Sequence, residues 1–168
     1  MFTYTVGAKV VHPCYGAGTI TRITEKAIGD TYRAYYIIST VSRPMELMVP
    51  VERAEEVKLR PVGELDELQA ELAGAAVTLQ DQLSPDLRQR QNQMRDLLKS
   101  GSFGAVAQVA RTLFMLNARR PLGTIDRQLL DQGREFLAGE LALSANLQIG
   151  EAMQAIQDHL ASLLGEES

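Results

Sequence analysis

The chain has no tryptophan, and aromatic residues make up only 5% of it. A single cysteine among 168 residues excludes an internal disulfide and fits a reducing compartment. The two histidines, His12 and His159, lie far apart in sequence, whereas a metal centre needs three or four ligands. No apolar run approaches the ~18 residues of a membrane span. The first residues, MFTYTVGAKVV, lack the charged head and long apolar run of a secretory leader. These absences describe a soluble cytoplasmic protein without a metal or other cofactor. Bases are also missing from two long stretches. Residues 63–84 hold five acids and no Lys or Arg, and residues 135–168 hold six acids and none.

The bases concentrate between those acidic stretches. Residues 85–134 carry nine Lys/Arg against four Asp/Glu, a local net of +5 in a chain whose net charge is −4. A basic block set between acidic ones gives a directional surface suited to a phosphate backbone. The competing reading pairs those arginines with the acids of neighbouring helices.

Residues 1–60 read as strands. VGAKVVHP is β-rich and broken by Gly and Pro, and Gly16-Ala17-Gly18 permits a bend or bulge. TITRIT alternates, with Ile20 and Ile23 nearly in register, and Gly29-Asp30 signals a turn. TYRAYYIIST suits a pleated surface, Arg43-Pro44 breaks it, and ELMVPV follows with Pro50 at an edge or bulge. Residues 57–60 allow a last short strand. Four or five short strands with tight turns suggest a small, bent barrel.

The composition then shifts to Glu, Leu, Ala and Gln. Leu65, Leu68 and Leu72 form a helical stripe. Ser84-Pro85-Asp86 reads as a helix start, with Ser84 as cap and Pro85 at the first helical position, and Ser100-Gly101 as a stop. Phe103, Val106, Ala110, Leu113 and Phe114 mark a third helix. Thr124 reads as the cap of a fourth, with Leu129, Phe136, Leu137 and Leu141 on its stripe. Ile149, Met153, Ile156 and Leu160 mark a fifth, and residues 165–168 are expected to fray.

His12 and Cys14 stand two residues apart, but no third ligand or orienting group accompanies them. They read as a partly exposed His12 and a packed Cys14, not as a catalytic or metal pair. Gly16-Ala17-Gly18 is followed by no Lys-Ser/Thr pair, so it is not a phosphate loop. No constellation points to an enzyme.

The ordered set VGAKVVHPCYGAGTI, RAYYIIS and LMVPVERAEEVKLRPV, continuing through LKSG, VAQVARTL and GELAL, resembles the CarD/CdnL family of bacterial transcription regulators. The resemblance implies an α+β chain of two domains. A Tudor-like polymerase-interacting β-barrel spans residues 1–60, a linker residues 61–64, and a compact five-helix bundle near DNA residues 65–168. It implies docking of the barrel on the RNA polymerase β subunit through an edge-strand surface, chemically a strand addition. The matching positions are Lys26 and Met48. Relatives commonly carry a basic residue at both, so Met48 is a departure.

In relatives a tryptophan early in the second helix wedges into the minor groove at the upstream edge of the melted promoter. Counting fourteen residues back from Gly101 reaches Leu87. Leucine can act as a groove wedge, but Leu87 also falls on the stripe of Met94 and Leu98, so a core role stays open. The phosphate-contacting positions map to Arg88, Arg90 and Arg127, with Asn92 where a lysine is common, and Arg119 and Arg120 reach from the adjoining turn. The implied partners are RNA polymerase and promoter DNA, with the sigma factor as an open third. The expected state is a monomer, associated with the nucleoid through polymerase. The implied function is stabilisation of the open promoter complex through weak, largely sequence-independent contacts. The alternative is a polymerase-bound adaptor whose helices face another protein and do not wedge DNA.

Overall fold

The computed structural model describes residues 3–74, 79 and 82–166. Five strands, β1 (Lys9–His12), β2 (Gly16–Ile28), β3 (Thr31–Thr40), β4 (Glu46–Pro50) and β5 (Arg60–Pro61), form one antiparallel sheet in the order β4-β3-β2-β1-β5. Ile20 and Ile23 are three apart, an odd spacing that a regular strand would send to opposite faces. A bulge between Ile20 and Arg22 absorbs the extra residue, so Ile20 pairs with Ile38 and Ile23 with Tyr36. Val10, Ile20, Tyr36, Ile38, Val49 and Leu59 fill the small core under that face.

Three local expectations are corrected. Gly16-Ala17-Gly18 holds no bulge but starts β2. Gly16 takes a positive φ of 86°, and at Gly18 a Cβ would meet the Ser39 carbonyl oxygen at 2.6 Å, so the close β2–β3 approach requires glycine. The last strand lies at Arg60–Pro61, because residues 54–58 are spent on a turn after the 3-10 turn Val51–Arg53. Among the described residues no ladder joins β5 to β4, so the sheet is open where a closed barrel was expected. Ala54 and Leu59, from the segment between those edges, enter the core with their side chains instead.

Helices α1 (Leu65–Gly74), α2 (Leu87–Leu98), α3 (Phe103–Arg119), α4 (Thr124–Ala145) and α5 (Ile149–Glu166) follow. Leu68, Leu72, Met94, Leu113, Leu129, Leu137, Ile156 and Leu160 join in one core, as the stripes require. Two caps differ from expectation. Asp86, not Ser84, caps α2 by accepting from the Gln89 N–H at 3.0 Å, while the Ser84 hydroxyl accepts from the Asp86 N–H at 3.2 Å. Asp86 is the cap because α2 starts at Leu87, which leaves Ser84 two residues too early to reach the first-turn N–H groups. Gly123, without a side-chain bond, precedes α4, so Thr124 is its first residue and not its cap. Of the terminal residues expected to fray, Gly165 and Glu166 continue α5, and 167–168 lie outside the described residues.

Helix α4 is the joint between sheet and helices. Glu140, fully buried, accepts two bonds from Arg60 of β5, at 2.7 and 2.6 Å, and one from the Gly63 N–H at 2.8 Å. Arg60 Nε also donates to the Gly101 carbonyl in the α2–α3 turn. At the middle of α4, Arg43 pairs with Glu135 at 3.1 Å, and at its C-terminal end Lys9 Nζ donates to the Leu143 carbonyl at 2.9 Å and Asn146 Oδ1 at 3.0 Å. Gly139 permits the close approach, since a Cβ there would lie 3.6 Å from that of Ala17 and 3.1 Å from Ser42 Oγ. Val11 and Ala17 of the sheet accordingly belong to the helical core.

Candidate nucleic-acid interface

The expected basic residues separate into two populations. Arg111 is buried, donating from Nη2 to the Leu72 carbonyl at the end of α1 at 2.6 Å. Burial pushes its pKa down, and its Nε and Nη1 find no partner among the described residues. Arg134 is held by Asp131 at 2.9 Å and Gln157 at 2.6 Å. Local charge counting put both on the directional surface, and packing takes them off it. Arg88, Arg119, Arg120 and Arg127 are exposed and make no ion pair among the described residues. Arg90 is intermediate, with Nη2 3.9 Å from Asp126 Oδ2, too long for a hydrogen bond, and a buried Nε without a partner among the described residues.

Leu87 is 53% exposed at the first position of α2. It stands on the Met94 stripe by spacing, but the buried part of that stripe begins at Met94, and Arg90 and Gln91 one turn earlier are only half-buried. A core role is thereby excluded.

The cleft beside Leu87 encloses about 710 Å³. Its walls include Arg90, Arg119, Arg120 and Ile125. Two contacts explain how it forms. Gln91 Nε2 donates to Asp126 Oδ1 at 3.1 Å near the starts of α2 and α4, and Leu98 meets Gly133 one to two turns further along. The two helices therefore run parallel and bring their N-terminal turns together. The positive dipole ends of α2 and α4 face this side together with the negative C-terminal end of α3, so the exposed Arg119 and Arg120 at that end set the sign of the site. Ile125 and Asp126 escaped sequence reading. Ile125 is four residues before Leu129 and mimics the core stripe, and nothing local shows that Asp126 joins α4 to α2.

On the sheet, Lys26 and Met48 lie on one face. Cross-strand partners point the same way. The rows Lys26–Arg33, Thr24–Tyr35–Pro50 and Arg22–Ile37–Met48 therefore occupy the side opposite Tyr36 and Ile38. Met48 is exposed on the edge strand β4, and Lys26 is exposed near the β2–β3 turn. Arg22 and Arg33 share this face and were not singled out from the sequence.

The Cys14 N–H donates to His12 Nδ1 at 3.1 Å, and Cys14 is exposed, not packed, because it sits in the β1–β2 turn. Burial holds the His12 pKa below its usual value. Among the described residues no three His, Cys, Asp or Glu side chains gather as metal ligands, and no helix is long and apolar enough to cross a membrane.

An open antiparallel sheet packed on five helices, with an arginine-rimmed cleft where α2 and α4 begin, is a two-part α+β architecture. The chain belongs to the CarD family of transcription regulators. Residues 4–63 match the CarD-like/TRCF RID domain and residues 78–157 the CarD C-terminal domain. It is similar to a Bacillus subtilis (strain 168) protein described as "Putative transcription factor YdeB", 29% identical over 138 residues, covering 82% of this chain and 90% of that one.

Proposed function

We propose that this transcription regulator docks on the RNA polymerase β subunit and stabilises the open promoter complex at the upstream edge of the bubble. The sheet face bearing Lys26 and Met48, with the free β4 edge, is the polymerase-binding surface. The helical end bearing Leu87, Arg88, Arg119, Arg120 and Arg127 meets DNA. Phosphate contacts position it there without reading bases, and Leu87 props the groove and hinders bubble collapse. The observation that carries this reading is that exposed Arg119 and Arg120 line one cleft with an exposed Leu87 and, like Arg88 next to it and Arg127 on α4, make no ion pair among the described residues. Arg90 is a secondary contributor, since Asp126 already draws on its charge.

The Tudor-like character of the sheet and the division at residues 61–64 belong to the same reading, as does action in the cytoplasm as a monomer. The test is the lifetime of polymerase–promoter open complexes with an Arg88→Glu, Arg119→Glu, Arg120→Glu variant. Arg90 is left alone, because an acid there would stand beside Asp126 and confound binding with folding. The expected result is a lifetime near that without the protein, with unfolding and polymerase association unchanged. An undiminished lifetime would leave the adaptor reading, in which the helices face a protein.

A further inference from the structure

Arg90 of α2 and Asp126 of α4 line the same cleft as Arg119 and Arg120. Their side chains are only 27% and 11% exposed, whereas Arg119 and Arg120 lie in solvent. Asp126 Oδ1 accepts from Gln91 Nε2 at 3.1 Å, which leaves Oδ2 facing Arg90 Nη2 at 3.9 Å. That separation is too long for a hydrogen bond but short enough for charge attraction at a partly buried site. Arg90 Nε is meanwhile buried, with no partner among the described residues. A buried donor left unmet is unfavourable, and a solvent-facing rotamer of Arg90 would relieve it.

We propose that Asp126 is a built-in competitor for DNA phosphate: its carboxylate holds Arg90 stowed in the free protein, and a phosphate in the cleft draws Arg90 out. This rests on the DNA-facing reading above and adds a control element to it. Two plainer roles for Asp126 are a favourable charge in the first turn of α4 and the tie to Gln91. Neither gives a reason for a guanidinium turned inward with a donor idle. A competitor does. A phosphate oxygen offers Arg90 a charged acceptor for the donors that the stowed conformer leaves unused. The exposed arginines hold the DNA backbone in either case, and Arg90 adds its contact only when a phosphate displaces Asp126. Asp126 thereby keeps duplex affinity low and lets the regulator leave DNA readily.

The test is fluorescence anisotropy of the intact protein with a labelled duplex across a range of salt. Asp126→Asn keeps an oxygen acceptor for Gln91 and removes the charge. It should bind the duplex roughly 10-fold more tightly at low salt, the scale of one charge-assisted hydrogen bond. Its logarithmic salt dependence should steepen by about 0.9, the mark of one added phosphate contact. Both changes should vanish in the Arg90→Gln background. Asp126→Ser, also an uncharged acceptor, gives the same reading if Asp126→Asn fails to fold. An unchanged affinity in the folded variant would overturn the proposal. So would a gain that persists without Arg90, since that is general charge removal and not release of a stowed side chain. A second measurement needs no Asp126 variant. The wild-type Arg90 Nε–H resonance, identified by its loss in Arg90→Lys, should exchange with water more slowly than those of Arg88, Arg119 and Arg120. Equally fast exchange would mean that Arg90 is not stowed and would overturn the proposal. If the triple arginine-to-glutamate variant bound the duplex like the wild type, the broader DNA reading would fail, and the competitor role with it.

Discussion

Glu140 has no exposed surface, yet it carries a charge that Arg60 and the Gly63 N–H satisfy. A buried ion pair adds little over a well-packed apolar pair, but removing one partner strands the other. Glu140→Ala is expected to cost about 3–5 kcal/mol, read from the urea midpoint. Glu71, close to the same pair, behaves differently. Burial pushes its pKa above the usual 4.5, Glu140 adds to the rise, and Arg60 and a bond from the Gly104 N–H oppose it. The folded state thus binds the Glu71 proton more tightly than the unfolded state does. Its stabilising contribution is present below about pH 4.5 and is lost as pH rises through the folded value. Glu71→Gln should therefore unfold at a higher urea midpoint than the wild type at neutral pH. The gap should close on acidification, as paired melts across pH would show.

Each helix was visible in the sequence because a stripe with a period near 3.6 is a local property, and all five lie where their stripes are. Their caps were less visible, because two candidate acceptors, Ser84 and Asp86, stand close together and only geometry selects Asp86. The strands were visible as β-prone runs, but the closure of the sheet was not, since it depends on edges 10 residues apart in sequence, Pro50 and Arg60, that never form a ladder. Charge was the least legible feature. Arg111 and Arg88 look alike in a composition window, yet one ends under α1 and the other in solvent. The parallel alignment of α2 with α4 has no signature in either segment. It arises because α3 runs back between two short turns, and Gly133 lets Leu98, Val106 and Ala110 pack closely against α4. That alignment, and not any single residue, makes the cleft.

At the scale of the molecule, α4 spans from the cleft to the sheet. Asp126 and Glu140 are fourteen residues apart, about 21 Å along a helix rising 1.5 Å per residue. A polymerase-docked sheet would therefore hold the arginines at a fixed reach. Weak DNA contacts then act at high effective concentration, an advantage that depends on the joint staying rigid. Two of the joint's contacts are peripheral and separable from the buried pair: Lys9 on the C-terminal turn of α4, and Arg43 on Glu135. Exposed pairs of this kind contribute about 1 kcal/mol or less to stability, so Lys9→Ala with Arg43→Ala should fold normally. Neither residue belongs to the rows that carry Lys26 and Met48 or to the arginine cleft. Polymerase association and duplex affinity, measured separately, should match the wild type, while open-complex lifetime should fall. Wild-type lifetime in that variant would mean that Arg60, Glu140 and the packing at Gly139 alone keep the joint stiff. A fall in lifetime with both binding steps intact would mean that the regulator works by its geometry and not by the sum of its two affinities.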